Sequence, residues 1–145
     1  TPKPSSAASD VYKRQVLSMD STQLGAAATA RAEELPGAER DNPFGPEWDV
    51  YKVRGRVFLL IPLDGTGRVT LKSHPEDSVA LRETFADIVP GYHMNKKHWI
   101  TLMPGASLDE ELVTELVTES YRLVVEKLPR AQRPIDPDLF GRPAG

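Results

Sequence analysis

The sequence predicts an α+β fold: an antiparallel sheet of about four strands with helices packed largely on one face. Three observations carry this. Residues 47–53, 56–61 and 68–72 are short alternating or continuous apolar stretches rich in strand-forming residues. They are joined by Arg54-Gly55 and by a loop holding Asp64-Gly65, both tight-turn signals. Connections this short admit only an antiparallel meander. Helical patterns then flank the strands, the last of them a long amphipathic stripe.

Composition bounds the answer. The chain has 145 residues, no cysteine and a formal net charge of -3. That length fits one domain with a single core. Without cysteine there is no disulfide, zinc-thiolate or thiol chemistry. There is no apolar run of about 18 residues for a membrane span, and no basic-then-apolar leader. A cytoplasmic, monomeric protein is the expectation. The charge is unevenly spread: between Lys52 and Lys72 five cations face Asp64 alone, while Asp109 to Glu119 holds five carboxylates and no cation.

Taken in order, residues 1–18 are polar and Pro/Ser-rich, and SSAASDVYKRQ resembles a translated adapter sequence. They are set aside as a non-native or disordered leader. The domain is expected over residues 19–129. Asp20-Ser21 is an N-cap signal, and Leu24, Ala28 and Leu35 share a helical face that Pro36-Gly37 ends. Residues 38–46 contain two prolines and read as a loop, with Phe44 as an apolar plug. The three strands follow. Ser73 or His74 caps a helix with Pro75 in its first turn, and Val79, Leu81, Phe85 and Ile88 supply its apolar contacts. A fourth strand is expected around residues 98–103. Ser107 is expected to cap a helix over residues 108–128, with Glu110 placed for a capping box. Its buried stripe is Leu112, Val113, Leu116, Val117, Tyr121, Val124 and Leu128. Residues 130–145, with three prolines, are expected to be a largely disordered tail.

Two groups of residues could bind a ligand. Lys52, Arg56, Arg68 and Lys72 are expected to align across neighbouring strands into a basic stripe, with Arg54 at a hairpin tip. That is the electrostatic footprint of a DNA- or anion-binding surface. The bland reading is ordinary solvent-face charge on an amphipathic sheet. The second group lies in PGYHMNKKHWITL, residues 90–102. There Lys96 and Lys97 offer point charge, Asn95 a bidentate edge, His93 a further contact and Trp99 a stacking platform. Against this, a tryptophan at a strand start is commonly core.

Other chemistries find little support. His74, His93 and His98 lack the usual ligand spacing, so no metal or cofactor is expected, Asp77 and Asp87 notwithstanding. No G-x-S-x-G, H-E-x-x-H or Walker pattern occurs, and no catalytic residue is assigned. Ser120 most simply bonds within its helix and Tyr121 most simply packs with its hydroxyl tethered.

The stretches VYKVRGRVFLL, VTLKSHPEDSVALRE, PGYHMNKKHWITL and LVTESYRLVVEKLP together resemble the MmcQ/YjbR family. The resemblance covers residues 24–128. The matching positions are Lys52, Gly55, Phe58, Lys72, Pro90, His93, Asn95, Lys96, His98, Trp99, Ser120 and Tyr121. It implies a fold similar to the CyaY and secretion-chaperone type. It also implies DNA binding, since a double-wing arrangement of strands was proposed to contact DNA in that family. It implies no catalytic residues. The expected function is therefore a non-enzymatic DNA-binding module; the alternative is a protein- or small-anion-binding adaptor using the same basic residues.

Overall fold

The computed structural model describes residues 20–42, 47–91 and 97–140. Among the described residues are three helices and six strands: α1 (Ser21–Glu34), β1 (Ala38–Asp41), β2 (Trp48–Val53), β3 (Arg56–Pro62), β4 (Val69–Lys72), α2 (Pro75–Thr84), β5 (Ile88–Pro90), β6 (Trp99–Leu102) and α3 (Glu110–Glu126). A short 3-10 turn, Arg130–Gln132, follows. No helix among the described residues is long and apolar enough to cross a membrane.

α1 begins where its cap chemistry predicts. The Asp20 carboxylate accepts from the Thr22 and Gln23 amides, and the Gln23 side chain accepts from the Asp20 amide. This reciprocal box satisfies amides that the first turn cannot. Leu24, Ala27, Ala28 and Ala32 then turn one face inward.

The sheet is wholly antiparallel, in the order β1-β2-β3-β4-β6-β5. The expectation of about four strands is corrected to six. β1 lies in the expected loop and pairs along β2, Glu39 opposite Lys52. It precedes Pro43, so all four of its residues after Gly37 keep an amide to donate. β5 takes Ile88 out of the expected helix and pairs it with Leu102. Both are short edge strands, one of them mostly charged, and neither shows the alternation that marks a half-buried strand.

Arg54 (φ 53°) and Gly55 (φ 80°) both have positive φ, the two-residue turn expected of a hairpin whose twist matches its strands. Asp64 accepts from the Thr66 amide and hydroxyl, bending a longer connection between β3 and β4 than a two-residue hairpin. Between these turns β3 carries a bulge. Tyr51 pairs with Leu59 and Lys52 with Val57, so Phe58 has no partner on β2. The bulge sends Phe58 and Leu59 both into the core.

The core lies between the sheet and the α1/α3 layer. Tyr51, Leu59, Ile61, Val69, Leu71, Ile100 and Leu102 meet Leu24, Ala28, Val113, Val117 and Tyr121. α3 packs on α1 and on β2, β3 and β4. Phe58 and Tyr121 stack edge-to-face at 5.5 Å. The other sheet face carries Val50, Leu60, Thr70 and Thr101 in one cross-strand row, with Thr70 and Thr101 hydroxyls bonded at 2.9 Å.

Three local expectations change. Asp109, rather than Ser107, caps α3, its carboxylate accepting from the Leu112 amide at 2.8 Å. Ser107 is engaged by Asp87 instead. Val79 points outward and is 49% exposed; Ser78 is the one fully buried residue of α2, while Leu81 and Phe85 pack half-buried against the core. Residues 130–140, expected as disordered, lie against α3. Phe140 stacks on Tyr121 at 5.7 Å, and the buried Arg122 donates to the Pro137 carbonyl at 3.0 Å. The α+β class with an antiparallel sheet, the three central strands, β6 and the α3 stripe stand as expected. Residues 1–18, Phe44 and residues 92–96 fall outside the described residues.

Candidate functional site: a cationic end of the sheet

The antiparallel meander decides which cations meet. β3 starts where β4 ends, so Arg56 at the head of β3 lies near Lys72 at the foot of β4. The β2–β3 turn places Arg54 at the same end. α3 runs its C-terminus there too and delivers Lys127. Burial, then the charges of Lys127 and Arg56, hold the Lys72 ammonium below its ordinary pKa. Desolvation and like charge act in the same direction on a lysine, since both disfavour its charged form. Among the described residues, Arg56, Lys72 and Lys127 enter no ion pair.

Trp99 stands directly opposite Lys72 across β4 and β6 and is half-buried. Paired residues on adjacent strands share a face, so the indole flanks the Lys72 stem. Lys97 and His98 precede it, both exposed, and the Ser73 amide donates to the His98 carbonyl at 2.8 Å. Arg54 is exposed, and its Nε donates to the Gln132 carbonyl at 3.0 Å.

The expected stripe of Lys52, Arg56, Arg68 and Lys72 does not form. Arg68 precedes β4 at the far end, about 13 Å of strand from Lys72, where it pairs with Asp64 at 3.2 Å. Lys52 faces the β1 edge and pairs with Asp41 at 3.2 Å. Its amine, together with the Asn42 amide, holds the Asp41 carboxyl below its ordinary range, the Asn42 amide being the stronger influence. What remains is a cluster of Arg56, Lys72 and Lys127, with Arg54 on the adjoining turn and Lys97 and Trp99 at the head of β6. His93, Asn95 and Lys96 lie outside the described residues.

Lys127 was not singled out from the sequence, because a lysine at a helix C-cap already answers the helix dipole. Ser120 was expected to bond within α3. It instead bridges two strands: its hydroxyl donates to the Phe58 carbonyl at 2.6 Å and accepts from the Lys72 amide at 2.8 Å. Among the described residues, no three His, Asp or Glu side chains converge as a metal site would require.

The YjbR family model matches residues 33–123, which takes in the whole sheet and most of α3. The uncharacterised protein YbdF of Escherichia coli O157:H7 is 44% identical over 111 residues, covering 76% of this chain and 91% of its own length. The uncharacterised protein YjbR of Escherichia coli K12 is 32% identical over 99 residues, covering 68% of this chain and 84% of its own. Among solved structures, the Deinococcus radiodurans protein DR2400, a DUF419 domain, superposes with a TM-score of 0.74 at 31% identity. That match covers 90% of this chain and 99% of DR2400.

Proposed function

The chain belongs to the YjbR family, and on that premise we propose that it binds DNA non-enzymatically, gripping phosphates with the cationic end of its sheet. The observation that carries this is the meeting of Arg56, Lys72 and Lys127 with no carboxylate partner among the described residues. Like charges held together cost free energy in the unliganded protein. A phosphate between them turns that repulsion into charge-assisted hydrogen bonds. Trp99 beside Lys72 offers a stacking surface for a sugar or an unpaired base. Phosphate contacts of this kind position a duplex without reading its sequence. The absence of cysteine fits work in a reducing cytoplasm.

The cluster is compact, so the grip is short: three phosphate contacts give a log–log salt slope near −2.7. Compactness also favours a second reading, an adaptor that captures a single small anion or an acidic segment of a protein. Anisotropy titration of a short labelled duplex at about 50 and 200 mM salt separates them. Salt-sensitive binding that a Lys72→Ala/Lys127→Ala double variant weakens is the expected result. No binding at the lower salt overturns the DNA reading. Displacement of the duplex by inorganic phosphate at comparable affinity moves the weight to the small anion.

A further inference from the structure

We propose that Ser120 is the positioning residue of the cationic site: its hydroxyl, seated between β3 and β4, sets the spacing of Arg56, Lys72 and Lys127. The binding half of this inference rests on the phosphate-gripping reading above; its geometric half does not.

The case starts from a missing rung. β3 and β4 pair at Leu60–Thr70 and Leu59–Leu71, and the next rung would join Phe58 to Lys72. It is replaced by the Ser120 hydroxyl, which takes the Lys72 amide at 2.8 Å and gives its proton to the Phe58 carbonyl at 2.6 Å. Two bonds in series hold the strands wider than one direct rung of about 2.9 Å would. The Phe58 bulge allows this, since that residue is already released from β2. Ser120 is fully buried, so no water competes for either bond.

A serine inside a helix usually bonds back to its own preceding turn. Thr118 does so, donating to the Thr114 carbonyl at 2.7 Å. Ser120, two residues on, spends its proton across the sheet instead. Each cation is tied to this one hydroxyl by a short piece of chain. Lys72 supplies the amide that binds it. Arg56 is two residues upstream of the carbonyl that accepts from it. Lys127 lies seven residues along α3, two turns on the same face and about 10.5 Å further along the axis. Ser120 therefore sets both how far β3 and β4 part and how α3 registers over them.

The test uses the full chain with Ser120→Ala and Ser120→Cys. Lysine amines are dimethylated with a 13C label and titrated by NMR, Lys72 being assigned through Lys72→Arg. The duplex salt slope is measured in parallel. In Ser120→Ala the Lys72 amine is expected to titrate closer to an ordinary lysine, and the salt slope to shrink by about one phosphate contact, ~0.9. Ser120→Cys, near in size but a weaker donor, should move both readouts less and in the same direction. A folded Ser120→Ala protein with wild-type Lys72 titration and wild-type slope overturns the proposal, since a serine that only braces the core would change stability alone. If Ser120→Ala does not fold, Ser120→Cys decides by the same two outcomes. If the unsubstituted chain binds no duplex, the DNA reading fails while the Lys72 titration still decides for or against Ser120.

Discussion

Asp87 and Ser107 hold one another by reciprocal hydrogen bonds. The Ser107 amide and hydroxyl both donate to Asp87 Oδ2, at 3.0 and 2.5 Å, and the Asp87 amide donates to Ser107 Oγ at 3.2 Å. The link ties the α2–β5 turn to the loop that feeds α3. Gly105 belongs to it, because a Cβ there would lie 2.2 Å from the same Asp87 oxygen.

Ser107→Ala is therefore expected to cost about 1–2 kcal/mol in denaturant unfolding, since it leaves the Asp87 amide and carboxylate short of partners. Gly105→Ala should disrupt the same link by forcing the carboxylate aside. Because both act on one network, the double variant should cost less than the sum of the singles.

Tyr121 governs the alkaline limit. Burial pushes its phenol up to about 12, against 10.0 in the unfolded chain. Between those values the unfolded state sheds a proton that the folded state keeps, so stability present below pH 10 is lost as pH rises. Tyr51 adds to this in the same direction, burial again being the first cause. Lys72 runs the opposite way: its lowered pKa makes stability rise with pH until the ordinary lysine value of 10.5. Thermal unfolding across pH 8 to 12 should thus show a fall above about pH 10. Tyr121→Phe should flatten part of that fall. At neutral pH it should cost about 1 kcal/mol, because the Tyr121 hydroxyl donates to the Pro36 carbonyl.

Position along β4 separates cations that composition treats alike. Lys72→Ala and Lys127→Ala should each reduce the duplex salt slope by roughly 0.9. Arg68→Ala, at the other end of the strand and paired with Asp64, should leave it within error. An equal loss from Arg68→Ala would restore the stripe and remove the compact site.

Phe58→Ala should be among the most damaging single changes, at about 3–5 kcal/mol. The ring is fully buried and stacks on Tyr51 at 6.5 Å and Tyr121 at 5.5 Å. Phe140→Ala removes only the half-buried outer member of the same aromatic group and should cost clearly less. Urea midpoints measured side by side order the two, and a reversed order would place the anchor of the cluster outside the sheet.

Legibility followed locality. The α1 cap, the Arg54-Gly55 turn and the α3 stripe could be read because neighbouring residues determine them. β1 could not, because Ala38 to Asp41 is extended only by virtue of its pairing with β2. The same holds for Ile88, which Pro90 and Gly91 just after it made look like a helix end. Ser107 and Asp109 were both eligible caps; contact with Asp87, distant in sequence, removed Ser107 from the competition. The tail read as disordered from its prolines, yet Phe140 and Ile135 reach the core. At the site, Lys72 and Arg56 were visible as cations. That they meet each other rather than Arg68 depends on strand direction and on a serine two helical turns before Lys127.

Among the described residues nothing pairs with the outer sides of β1 and β5, and this has a consequence for the chain in concentrated solution. β1 shows Glu39, Arg40 and Asp41 to solvent, and β5 is three residues long and ends at Pro90, which has no amide proton. A bare edge recruits further strands by offering unpaired backbone groups. Here an incoming strand would meet alternating charge on one side and, on the other, too few donors to register. The fold thus carries its own protection against end-to-end polymerisation, and its solutions should stay free of cross-β fibres while the native sheet persists.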